Sequence, residues 1–502
     1  MSNTGNLKIV IAGGGTAGWM AAALFARFLG DTAEITLVES DAIGTVGVGE
    51  ATIPQIHNLI QGLGLDQAEF MRATNASFKL GIEFVDWLRV GHSYIHSFGA
   101  TGRTVGLIPF RQLWLRGRGL GVAKDFGSYG LNVVAAREQR FTLAPLKNVA
   151  DLGYAYHFDA SLLAKLLRSY SEKRGVKRVE GKIAAFERDG ETGDITLMTL
   201  ENGTALAADL FIDCTGFASL ALGKTLGVSF VDWSEYLPCD TALAVPTEAG
   251  DHLRPYTQSL ARPAGWQWRI PLQHRTGNGH VFCSSFMDVG EATDLLLASL
   301  ETKPLGDPRP IRFRTGHRKE FWSHNCVALG LAAGFMEPLE STSIHLVQSG
   351  VARLLTLLPG DLKGGAKARE VFNRQSQIEW ERIRDFLVLH YIANEREGDP
   401  FWDHCRAITP PDTLAEKIEM FENSGQIVRE DEELFLDESW GQVMLGQGIE
   451  PRSWSPLADN VPAKDIGPFL GAIEKQASMI AGSLPTHRQF LTGFVGRVAE
   501  RT

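Results

Sequence analysis

Leu7-Lys8-Ile9-Val10-Ile11-Ala12-Gly13-Gly14-Gly15-Thr16-Ala17-Gly18 is the stretch on which the reading of this chain turns. Leu7–Ala12 is a short apolar run with β-branched residues, the composition of a buried strand. Trp19 to Leu29 follows the glycines with a helical pattern. Strand, glycine turn and helix form the context in which G-x-G-x-x-G binds a dinucleotide. Gly13 permits the tight turn, Gly15 lets a pyrophosphate approach the backbone, and Gly18 lets helix and strand pack closely. The first helical N–H groups, with Thr16 and Ala17 among them, then face the phosphates. Ala33–Glu39 reads as the second strand. Glu39, about twenty residues on, stands where a carboxylate accepts from a ribose hydroxyl.

The 502 residues suffice for about three domains. With 44% hydrophobic and 22% charged residues the composition is globular. The net charge of −10 comes from 49 basic and 59 acidic residues with no basic tract, so nucleic acid is not an expected partner. The five cysteines, Cys214, Cys239, Cys283, Cys326 and Cys405, are scattered and contain no C-x-x-C. That spacing argues against a disulfide framework and a zinc site, and it fits a reducing cytosol. Met1–Asn6 lacks the pattern of a signal peptide, and no apolar run is long enough to span a bilayer. The expectation is a cytoplasmic protein with no metal and no membrane partner.

After Glu39, Ile43-Gly44-Thr45-Val46-Gly47-Val48-Gly49-Glu50-Ala51-Thr52-Ile53-Pro54 reads as a loop able to lie close against a ligand. Lys79, in Ser77–Phe84, sits among apolar residues. From the residues alone it is expected to snorkel to the surface, whereas a desolvated lysine there would be a reactive one. Tyr94–Gly99 reads as a strand end with His96 and Phe98 on one face. Ser161–Tyr170 is helical, and Ile195–Thr204 reads as a hairpin with an Asn202-Gly203 turn. Asp209–Gly216 reads as a buried parallel strand ending in a small-residue turn. A hairpin inserted between such strands suggests the interrupted nucleotide domain of two-dinucleotide flavoproteins. From about 217 to 310 the chain is strand-like and turn-rich. In Gly265–Pro271, the residues Trp266, Trp268 and Ile270 share one strand face, a pattern that by itself means core packing. Asn325–Gly334 repeats the strand-then-glycine-turn grammar, and Phe335–His345 opens a helix running to Leu355. Arg369–Glu397 is an amphipathic helix with Phe372, Ile383, Phe386, Leu387 and Tyr391 on related faces. Further helices follow, broken at Pro410-Pro411 and Gly446-Gln447-Gly448.

These motifs together resemble the flavin-dependent halogenases, whose best-known members are the tryptophan halogenases. The resemblance runs over nearly the whole chain. It rests on Gly13-x-Gly15-x-x-Gly18, Gly47–Pro54, Phe78-Lys79, Trp266-x-Trp268-x-Ile270-Pro271 and Glu337-Pro338-Leu339-Glu340-Ser341-Thr342. It implies an α/β fold with an FAD-binding GxGxxG domain of the two-dinucleotide type, an inserted β-rich substrate region and a C-terminal helical region. The divisions read as 1–216 for the first part of the FAD domain, 217–310 for the substrate region, 311–360 for the closing FAD segment and 361–502 for the helical cover.

The resemblance also implies a mechanism. Reduced FAD reacts with dioxygen to a flavin C4a-hydroperoxide, halide attacks it, and hypohalous acid passes through a tunnel to a lysine matched by Lys79. That lysine works either as a haloamine or as a hydrogen-bond donor to hypohalous acid. The family's essential glutamate matches Glu340. The halide position matches Thr342 and Ser343, where Ser343 replaces the commoner glycine, as in a subgroup that includes bromide-preferring enzymes. His96 and Phe98 match positions that stack on the aromatic substrate. Gly49, Ala51, Ile183 and Ile344 join Gly13–Gly18 and Glu39 as the expected cofactor-binding set. The segment that grips free tryptophan is not found between Glu430 and Pro456, so an indole without the amino-acid backbone, or a larger aromatic, is expected. FADH2 would come from a separate NADH-dependent reductase. Monomer and homodimer are both open. An aromatic hydroxylase is the alternative, and a flavin- or lipid-binding protein without turnover a third reading.

Overall fold

A computed structural model of the chain describes residues 6–43, 49–360, 362, 364–430 and 433–499. The first five residues of the N-terminal stretch and residues 44–48 of the expected ligand loop lie outside the described residues.

Leu7–Ala12 lies inside a six-stranded sheet ordered Trp322–Ser323, Cys326–Ala328, Leu210–Asp213, Leu7–Ala12, Ala33–Glu39, Lys177–Glu180. All neighbours pair in parallel except the Trp322–Ser323 edge. Three distant parts of the chain therefore build one nucleotide-type sheet, with Ile9 opposite Leu210 and Phe211 opposite Cys326. Ile9, Val10, Ile11 and Ala12 are all buried, as a strand covered on both faces requires. The helix Thr16–Phe28 buries Trp19 through Ala26. The inserted hairpin forms as expected, with Met198 opposite Leu206 and the turn between them.

The glycine turn can be read atom by atom. Gly13 takes φ +110°, and a Cβ there would stand 2.3 Å from the Cys214 carbonyl oxygen. A Cβ on Gly18 would stand 1.9 Å from the Gly13 carbonyl oxygen. Nothing lies within 4 Å of the Cβ position of Gly15. Two glycines thus serve close packing and the third leaves open space.

A second, seven-stranded sheet is ordered Arg309–Arg312, Thr241–Glu248, Arg275–Phe282, Gly265–Pro271, Thr257–Arg262, Gly81–Val85, Ser93–Ser97. The region 217–310 thus supplies most of this sheet, and the strands carrying Ile82 and His96 complete one edge. That region is less purely strand-like than its sequence suggested. It contains the helix Val289–Ala298, started by a capping box between Asp288 and Glu291. A small sheet places Ala155–Asp159 between Gly49–Ala51 and Ser77–Lys79. His157 sits opposite both Ala51 and Ser77. The end of the ligand loop and Lys79 are thereby fixed to the same central strand.

The helix Ser343–Leu357 packs against Thr16–Phe28 and against the 27-residue helix Ala366–Ile392, which also meets the edge strand Trp322–Ser323. The long helix buries Phe372, Ile383, Phe386, Leu387 and Tyr391, the face read from its periodicity. No helix among the described residues is long and apolar enough to cross a membrane.

Gly13→Ala is expected to destabilise the apoprotein by about 1–3 kcal/mol, since an alanine there adopts a sparsely allowed conformation. Gly15→Ala, already at φ −71°, is expected to leave the thermal midpoint of the apoprotein nearly unchanged and to weaken dinucleotide binding. Thermal unfolding together with a flavin titration checks both, and equal loss of stability in the two variants would contradict the assignment.

Candidate active site

The open space at Gly15 tests whether a dinucleotide fits. Gly15 is the N-cap of the helix Thr16–Phe28, and no side chain caps it. The first-turn N–H groups, which have no acceptor within the helix, point into a cradle that any side chain would fill. Glu39 ends its strand beside this turn, and a Cβ on Gly14 would stand 1.7 Å from Glu39 Oε2. Trp19 Nε1 donates to Oε2 at 3.1 Å, while Arg178 Nε at 2.6 Å and Arg168 at 3.3 Å hold Oε1. The carboxylate is thus held by an indole and two guanidinium groups at the position where a ribose is expected. Ala17 meets the late turn, since a Cβ on Gly330 would stand 2.8 Å from Ala17 Cβ. Thr16 Oγ1 reaches the Ala160 carbonyl at 3.5 Å. Ile183 begins its strand just after Gly181, whose N–H donates to the Glu39 carbonyl at 2.9 Å. Gly49 and Ala51 bound the strand leading to Thr52. The residues present fit FAD.

Lys79 ends the strand Ser77–Lys79 with a side chain 0% exposed. It does not snorkel: Thr52 and Ser341 of the Glu337–Thr342 turn close over its amine, so the surface expectation is corrected. Its Nζ donates to the Thr52 carbonyl at 3.0 Å and to Ser341 Oγ at 2.8 Å, and lies 5.2 Å from the ring centre of half-buried Phe98. Burial strips the ammonium of hydration and pulls the group down to about 7, against a smaller upward pull from the Glu340 carboxylate. The strand is held from outside by His487, whose Nε2 accepts the Phe78 N–H at 3.2 Å while Nδ1 faces the Leu253 carbonyl at 2.8 Å.

Glu340 ends the short turn Pro338–Glu340 and is fully buried. His96 Nδ1 stands 3.0 Å from both of its oxygens. His390 Nε2 stands 3.1 Å from Oε1, though off the line of a good hydrogen bond, and its Nδ1 donates to the Phe386 carbonyl at 2.8 Å. Burial by itself would raise Glu340. The charge of His96 and the two imidazole contacts outweigh it and hold the acid down at about 2. His96 is therefore tied edge-on to Glu340, with its ring 5.5 Å from Phe386 and 6.3 Å from Phe435. Thr342 and Ser343 cap and open the helix Ser343–Leu357, with no side-chain cap on its first N–H groups. Ile344 is buried in that first turn.

Trp266, Trp268, Ile270 and Pro271 lie on one strand and are buried. Trp266 Nε1 donates to Glu337 Oε2 at 2.8 Å, and Tyr391 OH donates to the same oxygen. From sequence, Glu337 and Ser341 enter only as members of the Glu337–Thr342 motif, and His390 carries no signal of its own. The periodicity makes Tyr391 one core position among several, and His390 beside it is buried on the same long helix. The spacing of an acid-rich turn and a His-Tyr pair carries no signal until the fold joins them.

In the segment 433–442 the buried polar groups are already engaged. Glu433 accepts from Lys417 at 3.0 Å and from Trp440 Nε1 at 3.2 Å, and Glu438 accepts from the Thr101 N–H at 3.0 Å. Gln442 Oε1 accepts from the Ser97 N–H at 2.8 Å, fixing the residue between His96 and Phe98. No group of metal-ligating side chains occurs among the described residues.

A family model described as tryptophan halogenase matches residues 8–463. Tryptophan 6-halogenase SttH of Streptomyces toxytricini is 34% identical over 98% of this chain and 99% of its own. A flavin-dependent halogenase from Xanthomonas campestris is 47% identical with a TM-score of 0.94, covering 97% of this chain and 98% of that one. BrvH, a flavin-dependent halogenase from a Brevundimonas species, is 42% identical with a TM-score of 0.93, covering 97% and 99%. These similarities do not favour the hydroxylase alternative. The chain belongs to the tryptophan halogenase family and is a flavin-dependent halogenase.

Proposed function

We propose that this enzyme halogenates an electron-rich, indole-like aromatic without a free amino-acid backbone, using bromide or chloride and FADH2 from a separate NADH-dependent reductase. The observation that carries the reading is the buried amine of Lys79 between Thr52, Ser341 and the Phe98 ring. Bound at Gly13–Gly18, FADH2 would supply two of the four electrons that reduce dioxygen, and the halide the other two, leaving it at the level of hypohalous acid. The first N–H groups of Ser343–Leu357, beside Thr342 and Ser343, are suited to holding the halide.

Free hypohalous acid is indiscriminate, so a fixed group must set where it meets the ring. Lys79 can do this in either protonation state, since its burial brings the two close in energy near neutral pH. As ammonium it donates to the oxygen of hypohalous acid. As amine it exchanges an N–H proton for the halogen and releases water. Addition to the ring makes a cationic intermediate whose ring proton is strongly acidic. A carboxylate held at about 2 is a weak base, so Glu340 serves chiefly as a fixed negative charge beside that cation. Its remaining basicity is enough for so acidic a proton.

Among the described residues of the segment 433–442, the engagement of the buried acids supports the substrate class. Glu433 and Glu438 are spent on Lys417, Trp440 and Thr101, and so do not offer a carboxylate to a substrate ammonium. The five unpaired cysteines accord with a reducing, cytoplasmic setting.

Lys79→Ala is expected to lower halogenated product about 10²-fold or more while flavin oxidation continues, as mass spectrometry and oxygen uptake would record. Normal yield from that variant would refute the role. Ser343→Gly is expected to change the ratio of brominated to chlorinated indole in a competition assay, and an unchanged ratio would remove Ser343 from halide choice. Because folding lowers Lys79, the unfolded chain binds more protons between its folded value of about 7 and its unfolded value of 10.5. Stability should therefore gain with rising pH from about 7 to 8.5, below the range where thiols ionise. Urea titrations should show this gain missing in Lys79→Met; an identical slope in both proteins would contradict the buried ammonium.

A further inference from the structure

We propose that Glu337 is a positioning residue: its carboxyl, gripped by the Trp266 indole N–H and the Tyr391 phenol, fixes the turn that carries Glu340 and so seats that carboxylate against His390. The proposal rests on the reading of Glu340 as the group beside the reacting ring.

Glu337 and Glu340 bracket one short turn, closed by the Ser341 N–H to the Pro338 carbonyl at 3.1 Å. Ser341 at its end has φ +60°, a left-handed conformation that needs outside support. His390 and Tyr391 are consecutive on the long helix. One faces Glu340 and the other bonds Glu337. Two neighbouring residues of a rigid helix therefore hold two carboxyls of one turn. The third point of support is Trp266, from the seven-stranded sheet, at 2.8 Å. Trp266 is wedged among Trp87 and Trp268, with ring centres 6.3 and 6.1 Å away, and Tyr391 is stacked on Trp402 at 5.8 Å. Both donors are thus immobile. Plain packing would be met by phenylalanine at either position, whereas these two spend their polar atoms on one oxygen.

The two acids also differ in charge. The titratable side chains facing Glu337 are Tyr391, Cys239, Cys283 and Cys405, and none brings a positive charge. Glu337 Oε1 is buried without a hydrogen-bond partner. Burial raises Glu337 to about 7, while the two donors pull weakly the other way. A neutral carboxyl beside the Glu340 anion avoids like-charge repulsion inside the same turn. Ionising it would push the turn away from the seat made by His96 and His390.

Steady-state halogenation of indole, measured with flavin oxidation in the same assay from about pH 6 to 9, tests this in the full-length enzyme. Glu337→Ala is expected to lose about 10–100-fold in kcat, with little change in KM and with flavin oxidation intact. Glu337→Gln keeps an acceptor for both donors and cannot ionise. It should restore kcat to within a few-fold of wild type at low pH and exceed the relative wild-type rate at the alkaline end. Tyr391→Phe should lower the halogenated product per flavin oxidised, and it decides the matter if Glu337→Ala does not fold. Wild-type kcat in Glu337→Ala, a Glu337→Gln variant as impaired as the alanine, or unchanged coupling in Tyr391→Phe would each overturn the proposal. Glu340→Gln, run in parallel, separates the two readings: unaffected halogenation there would remove the role of Glu340 itself, whatever Glu337 does.

Discussion

A buried amine that feels the charge of a buried carboxylate is the constraint on which this site depends. Lys79 has lost its water, and the Thr52 carbonyl and Ser341 hydroxyl replace only part of it. Isolated in that way, an ammonium would simply deprotonate. The Glu340 charge offsets the loss and keeps both protonation states of Lys79 within reach near neutral pH. That balance requires Glu340 to stay ionised in an equally dry place, which is what His96 and His390 achieve. Each charged group at the centre is therefore maintained by the next, and the sheets and the long helix exist in the right places to supply them.

The two acids of the Glu337–Thr342 turn show how environment, and not residue type, sets chemistry. Glu340 faces imidazoles and is held at about 2, while Glu337 faces an indole, a phenol and thiols and is raised to about 7. Environments that push paired carboxyls apart commonly mark divided roles. In the roles proposed for them, one acid would meet the reacting cation and the other would anchor the loop. The tryptophan motif, read from its alternation as core packing, is packing with one polar commitment, the bond from Trp266 to Glu337.

Local chemistry was readable wherever it obeys local geometry. The glycine turn, the strand before it, Glu39, the Asn202-Gly203 hairpin and the buried face of the long helix all follow from periodicity and from backbone sterics. The helix Val289–Ala298 was not, because its signal is a capping box within a region otherwise dominated by strands. Lys79 misled for a similar reason. A lysine among apolar neighbours snorkels unless distant elements cover it, and its cover comes from residues 27 and 262 positions away. His96, likewise, shares a strand face with Phe98 as its spacing says. That it is tied to Glu340, 244 positions on, belongs to tertiary structure alone. The site's charges, in short, are long-range properties that no window of sequence contains.

The most direct test is the titration of Lys79 itself. Dimethylation of lysines with carbon-13 formaldehyde, or nitrogen-15 labelling at Nζ, gives an NMR signal assignable by comparison with Lys79→Arg. The expected midpoint is about 7 in the wild type and lower in Glu340→Gln, where the upward pull of the carboxylate is gone. A midpoint close to the ordinary lysine value of about 10.4, unchanged by Glu340→Gln, would contradict it.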